Sequence, residues 1–382
     1  MNSNAELQHG VEPNKAKRSG LGLRAADLGR ACAGYTLFTP QTTGRTVYLI
    51  DLTGRVIHTW ETPYPPGLYG YLSERGTLIY NGRTEQAGSD FLAQGPWKGG
   101  VLLEIDWDGK VLWEVRNPDH HHDGRRLRNG NIVLLCMRPI PRVLAQKVVG
   151  GLPGTEHDGE MFGDYLVEMT TDGEVIWEWR SWEHLDPEAD PIAYAGEHRS
   201  EWTHGNTVEE MPNGNLLVSF RNISTVAVVD RTTGLIAWKL GPPTLAQQHA
   251  PVLLDNDHLL IFDNGTHRAD HPAPFSRVIE VDRSTKEIVW SYREPLPIDF
   301  FSPYISNAER LPNGNTLICE GNFGRIFEVT PASELVWEFV NPYFGEPLWR
   351  SSGNLTTNAV FRAFRYPEER MPVDRGLTRS LG

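Results

Sequence analysis

Six stretches of this chain end alike, in a turn followed by a short apolar run and a tryptophan. They read DLTGRVIHTW to Trp60, DWDGKVLW to Trp113, TTDGEVIW to Trp177, DRTTGLIAW to Trp238, DRSTKEIVW to Trp290 and TPASELVW to Trp337. The intervals are 53, 64, 61, 52 and 47 residues, room for about four short strands and their loops in each repeat. Between the tryptophans a second element recurs: LSERGTLIYN, LRNGNIVLLC, MPNGNLLVSF, LDNDHLLIFD and LPNGNTLICE, starting at Leu72, Leu127, Met211, Leu254 and Leu311. Asn-Gly between apolar runs marks a tight hairpin, because both central turn positions need a positive φ. Each repeat therefore reads as one four-stranded antiparallel unit.

The strand arithmetic predicts how the units close. The N-terminal repeat has three strands, beginning at Gly34, Thr46 and Val56, and lacks an inner one. One strand is left over at the other end, TNAVFRAFRYP from Thr357. Placed innermost in the N-terminal unit, it completes an all-β, six-bladed propeller and removes the open sheet edges. The expected layout is a loosely ordered extension over residues 1–33, with a short turn of helix within 23–32. A propeller over 34–367 and a tail over 368–382 complete it.

The net charge of −13 argues against a partner held by phosphate contacts, so no nucleic acid is expected. No apolar stretch is long enough to cross a bilayer, and none is expected to. Residues 1–17 carry no apolar signal core, and three widely spaced cysteines, Cys32, Cys136 and Cys319, form no disulfide pattern. A cytoplasmic protein is the expectation.

Counting seven residues back from the first hairpin position gives Gly67, His122, Asn206, His249 and Ser306, with Thr357 their counterpart in the closing strand. All are small or polar, and all begin an innermost strand. Alternation places His120, His204 and Gln247, two residues earlier, on the same face. His120, His122, His204, Asn206, Gln247 and His249 are thus expected at one end of the channel, and His121 is expected to turn away. His58, His258, His267 and His271 fall outside the register and are expected at the surface. Arg221 reads as part of the second strand of its repeat, close behind the strand of His204 and Asn206, and a guanidinium fork suits a tetrahedral oxyanion. Arg83, Arg138 and Arg268 hold similar places and read first as loop-pinning ion pairs, with Arg268 also a candidate for substrate. Two insertions, residues 139–164 and 183–202, are placed to cover this face. Their acidic residues (Glu156, Asp158, Glu160, Asp186, Glu188, Asp190) lack a calcium-loop pattern and read as solvated.

The segments HDGRRLRNGN from His122, WTHGNTVEEMPNGNLLVSFRN from Trp202, QHAPVLLDNDHLLIFDNG from Gln248 and SRVIEVDRSTKEIVWSY from Ser276 resemble the arylsulfotransferase family over about Gly34 to Pro367. The likeness is to a remote subgroup without a secretory signal or an added N-terminal β-domain. The resemblance implies a cofactor-free enzyme in which a channel histidine takes a sulfuryl group from an aryl sulfate and passes it to a phenol. By motif it makes His249 the nucleophile, His122 and His204 its assistants, and Asn206 and Arg221 the sulfate-binding groups. Gln247, His120, Ser306, Thr357 and Arg268 would complete the pocket for a small aromatic substrate. Two other readings use the same residues differently. His122, His204 and His249 could hold a divalent metal in a lyase or hydrolase, or the propeller could be a non-enzymatic scaffold.

Overall fold

The computed structural model describes residues 20–348 and 355–371. Six antiparallel sheets surround one channel, five of four strands and one of five. The first blade runs outward from Val360–Tyr366 through Tyr35–Pro40 and Thr46–Ile50 to Val56–Glu61. Its closure is the one expected: Tyr35 pairs with Tyr366 and Pro40 with Val360, so the last strand is the innermost of the first blade. The other innermost strands are Pro66–Leu72, His120–Arg126, Gly205–Glu210, His249–Leu253 and Asn307–Arg310.

The extra strand corrects one expectation. Gly22–Ala26 is not helical but pairs antiparallel with the outer strand Leu335–Val340 of the last blade. An outer strand leaves a row of backbone groups unpaired, and this segment covers them. Further along, Cys32 donates its backbone N–H to the buried Glu328 carboxylate at 2.7 Å, so this part of the expected loose extension is fastened. Residues 1–19, the rest of that extension, and most of the expected tail lie outside the described residues.

The repeated tryptophans have a structural reason. The Trp60 indole donates to the carbonyl of Asp106, in the outer turn of the next blade, at 3.0 Å. Trp238 reaches Arg283, Trp290 reaches Pro331 and Trp337 reaches Leu52 in the same way, at 2.8, 3.0 and 2.8 Å. The third blade uses Trp179, two residues beyond the repeat position, to reach Gly234 at 2.7 Å. Trp113 is the exception: it bonds Glu104 of its own blade, and Arg126 of the next blade lies over its ring. Each latch satisfies an indole donor and a turn carbonyl while burying aromatic area between blades.

Five innermost strands carry a register irregularity near the channel mouth. His122 and His204 both sit there at φ +49°, and Ala250 at +47°. A left-handed residue in a strand turns its side chain off the alternating pattern. That local geometry decides which histidines see the channel.

Candidate functional site

A cavity of about 550 Å³ opens at the mouth, with His122, His204, His249 and Arg221 on its wall. His122, His204 and His249 come from the register set, and Arg221 from the end of its second strand. Trp97, Phe91, Phe361 and Tyr304 supply aromatic wall, and Glu197 and Glu201 two carboxylates. The insertion over 183–202 lines the cavity directly. The one over 139–164 does not; it buttresses its neighbour, through bridges of Gly150 to Ile192 and Leu152 to His198. Residues 91–97 form the other rim, pinned by Arg83, which donates to the carbonyls of Gly95 and Pro96 at 3.0 and 3.3 Å.

The remaining candidates lie behind the wall. His120 is fully buried against Gly99, where a Cβ would come within 2.6 Å of its ring, and its Nδ1 accepts the Gly100 N–H at 3.1 Å. The left-handed turn at His122 breaks the alternation that would have aimed His120 at the channel. Asn206 sits deeper, donating to the Gln248 carbonyl at 2.8 Å. Gln247 holds Glu197 at 2.6 Å, and Ser306 bonds Ser302 at 3.0 Å. Thr357 precedes the closing strand and bridges to Gly345. Arg268 is engaged with Asp263 at 2.8 Å and lies over Phe275, the loop-pinning arrangement. The reverse correction concerns His121. Instead of turning away, it sits buried with its Nδ1 2.7 Å from that of His122 and its Nε2 2.9 Å from Asp164.

Hydrogen bonds assign the histidine protons. Asn264 donates its amide to the carbonyls of Ser302 and Ile305, which leaves its oxygen facing His249 Nδ1 at 2.8 Å. His249 therefore carries its proton on Nδ1, and its Nε2 accepts the Ile305 N–H at 3.2 Å. His204 gives its Nδ1 proton to the Glu201 carboxylate at 2.9 Å. Its ring lies 4.8 Å from that of His122, and Trp97 meets His204 edge-on at 4.9 Å. Arg221 is not a free fork, since one of its nitrogens is engaged by Glu197 at 2.7 Å and Asn222 at 3.0 Å. Burial works against charge on Glu197, but Arg221 outweighs it and holds the carboxyl below its usual range.

Burial, reinforced by His204 and His121, keeps His122 neutral far below the usual imidazole range. Burial does the same for His249 against the opposing bond from Asn264, and pushes His120 down to about 3. In the unfolded chain each would titrate near ~6.5. Below that pH the unfolded chain binds protons that the folded chain refuses, so stability falls as pH falls. Each histidine contributes a slope approaching ~1.4 kcal/mol per pH unit. Urea midpoints measured from pH 7.5 to 5 should drop accordingly; a flat profile would contradict neutral histidines.

Among the described residues no three His, Cys, Asp or Glu side chains are grouped so as to hold a metal ion. His249 Nε2 already accepts a backbone N–H. No helix among the described residues is long and apolar enough to cross a membrane.

No curated protein matches the chain. Among solved structures, a Bacteroides caccae protein of unknown function covers 87% of this chain and 98% of its own, at 13% identity and a TM-score of 0.51. A streptogramin B lyase covers 87% and 84% at 13% identity and a TM-score of 0.47. A catalytically inactive variant of virginiamycin B lyase from Staphylococcus aureus, with quinupristin, covers 86% and 92% at 13% identity and a TM-score of 0.47. At 13% identity the likeness to the first of these is one of fold. The sequence pattern described as arylsulfotransferase (ASST) matches residues 90–342, from the rim beside Trp97 to the end of the last blade. That span includes His122, His204, Arg221 and His249, and the chain belongs to the arylsulfotransferase family.

Proposed function

We propose that the chain is an enzyme that cleaves a small aromatic molecule by acid–base chemistry, in the manner of a lyase or hydrolase. One observation carries this reading. Among the described residues His122 makes no protein hydrogen bond through Nε2, and its ring faces a cavity shared with the His204–Glu201 pair. A neutral imidazole with an available lone pair takes a proton. A second imidazole, held by a carboxylate, is placed to hand one on. The aromatic wall suits a flat substrate, stacked or edge-on.

Family membership favours a second reading, sulfuryl transfer. The His249 Nε2 lone pair would form an N–S bond as the aryl S–O bond breaks, with His204 protonating the leaving phenolate. A phenol deprotonated by His122 would then attack sulfur and free His249. Two features tell against it: the Ile305 N–H occupies that lone pair, and Glu197 engages Arg221.

Incubation with 4-nitrophenyl sulfate, with and without phenol, separates the two. Nitrophenol release that survives His249→Ala but not His122→Gln supports acid–base cleavage. A sulfonate adduct on the His249 peptide, seen by mass spectrometry without acid, supports transfer. No turnover of any aryl sulfate or aryl ester, or turnover that survives both His122→Gln and His249→Ala, overturns both.

A further inference from the structure

We infer that Asp164 and His121 are positioning residues that decide which nitrogen of His122 carries its proton; this deepens the acid–base reading above. Asp164 and His121 are buried, with Oδ1 2.9 Å from His121 Nε2; the pair lies in ion-pair range but outside hydrogen-bond geometry, and neither atom has another partner among the described residues. A carboxylate only accepts, so the His121 proton belongs on Nε2 and its lone pair on Nδ1. Across 2.7 Å the two Nδ1 atoms cannot present two lone pairs or two protons to one another. The proton between them therefore belongs to His122. Its Nε2 is left bare, on the cavity side.

The other oxygen of Asp164 accepts the Gly205 N–H at 2.6 Å. Gly205 follows His204, so one carboxylate ties the neighbouring blades at both histidines. The fit is close. A Cβ on Gly205 would lie 3.0 Å from the Asp164 carboxyl carbon and 2.9 Å from Leu135. The left-handed backbone at His122 and His204, both at φ +49°, brings the rings into this arrangement.

This arrangement makes an unusual prediction for Asp164→Asn. The Gly205 N–H still requires an oxygen, so the new amide nitrogen must face His121 Nε2. His121 then carries its proton on Nδ1 and donates it to His122, whose own proton moves to Nε2. Both tautomers swap without loss of any heavy atom. Nitrogen-15 spectra of histidine-labelled protein, assigned with His121→Gln and His122→Gln, read this directly, because bare and protonated ring nitrogens resonate far apart. Wild-type protein is expected to show His122 protonated at Nδ1 and bare at Nε2, and Asp164→Asn the reverse. Turnover should fall by up to ~10⁴-fold, the loss that a wrong histidine tautomer causes in a serine-protease triad. A wild-type His122 protonated at Nε2, or tautomers unmoved by Asp164→Asn, overturns the inference. The wild-type spectrum decides alone if the variant does not fold. Swapped tautomers with unchanged turnover would uphold it and remove His122 from the role of base.

Discussion

Arg362→Leu should destabilise the fold by about 3–5 kcal/mol, the usual cost of removing one partner from a buried ion pair. Arg362 lies on the closing strand and is buried in the channel. One nitrogen donates to the Tyr69 hydroxyl at 2.8 Å and to Asp123 at 3.0 Å. Another donates to the Asn206 carbonyl and the Thr207 hydroxyl, each at 2.9 Å. One guanidinium thus joins the first blade to the second, third and fourth. Without it Asp123 stays buried, with Arg125 at 3.5 Å as its remaining counter-charge among the described residues. Urea unfolding should show a lowered midpoint with an unchanged slope. Arg362→Lys should recover only part of the loss, because a point charge cannot make the forked contacts. A loss under ~1 kcal/mol for Arg362→Leu would mean that the channel polar network is not what holds the ring shut.

His122→Ala should lower kcat/KM by about 10²–10⁴-fold, the range for a general acid or base. His204→Ala should cost a similar factor, and the double variant little more than either alone, since two residues acting in one proton transfer are not additive. Arg268→Ala, whose partners are Asp263 and Phe275 behind the wall, should change stability and leave kcat/KM within a few-fold. Steady-state rates with the best substrate from the aryl sulfate and aryl ester panel provide the measurement. Equal losses at His122 and Arg268 would show that the cavity histidines have no special role.

Much of the architecture was legible before any coordinate. Hairpin turns announce themselves through Asn-Gly, whose need for positive φ is local. The Trp repeat announces the blade because each indole must reach the next blade's turn, a constraint that recurs with the fold. The unpaired C-terminal strand announces closure, because edges must be covered. Counting from the hairpins also brings His122, His204 and His249 to one mouth, and Arg221, read from the end of its second strand, lies beside them.

Tertiary structure decided the rest, and mainly at one point. Counting from a hairpin assumes unbroken alternation, and the bulge at the mouth breaks it. His120 turns behind the wall while His121, by alternation the misdirected one of three consecutive histidines, reaches His122 and Asp164. A bulge is set by how neighbouring blades pack, which no single strand's periodicity records. Trp97, Glu197 and Glu201 come from loops with no period at all, so nothing in their spacing could bring them to the cavity. Arg362 is similar: in sequence it is one of two arginines in a closing strand, FRAFR. Only ring closure sets it across the channel from Asp123, 239 residues earlier, and makes it the buried staple of four blades.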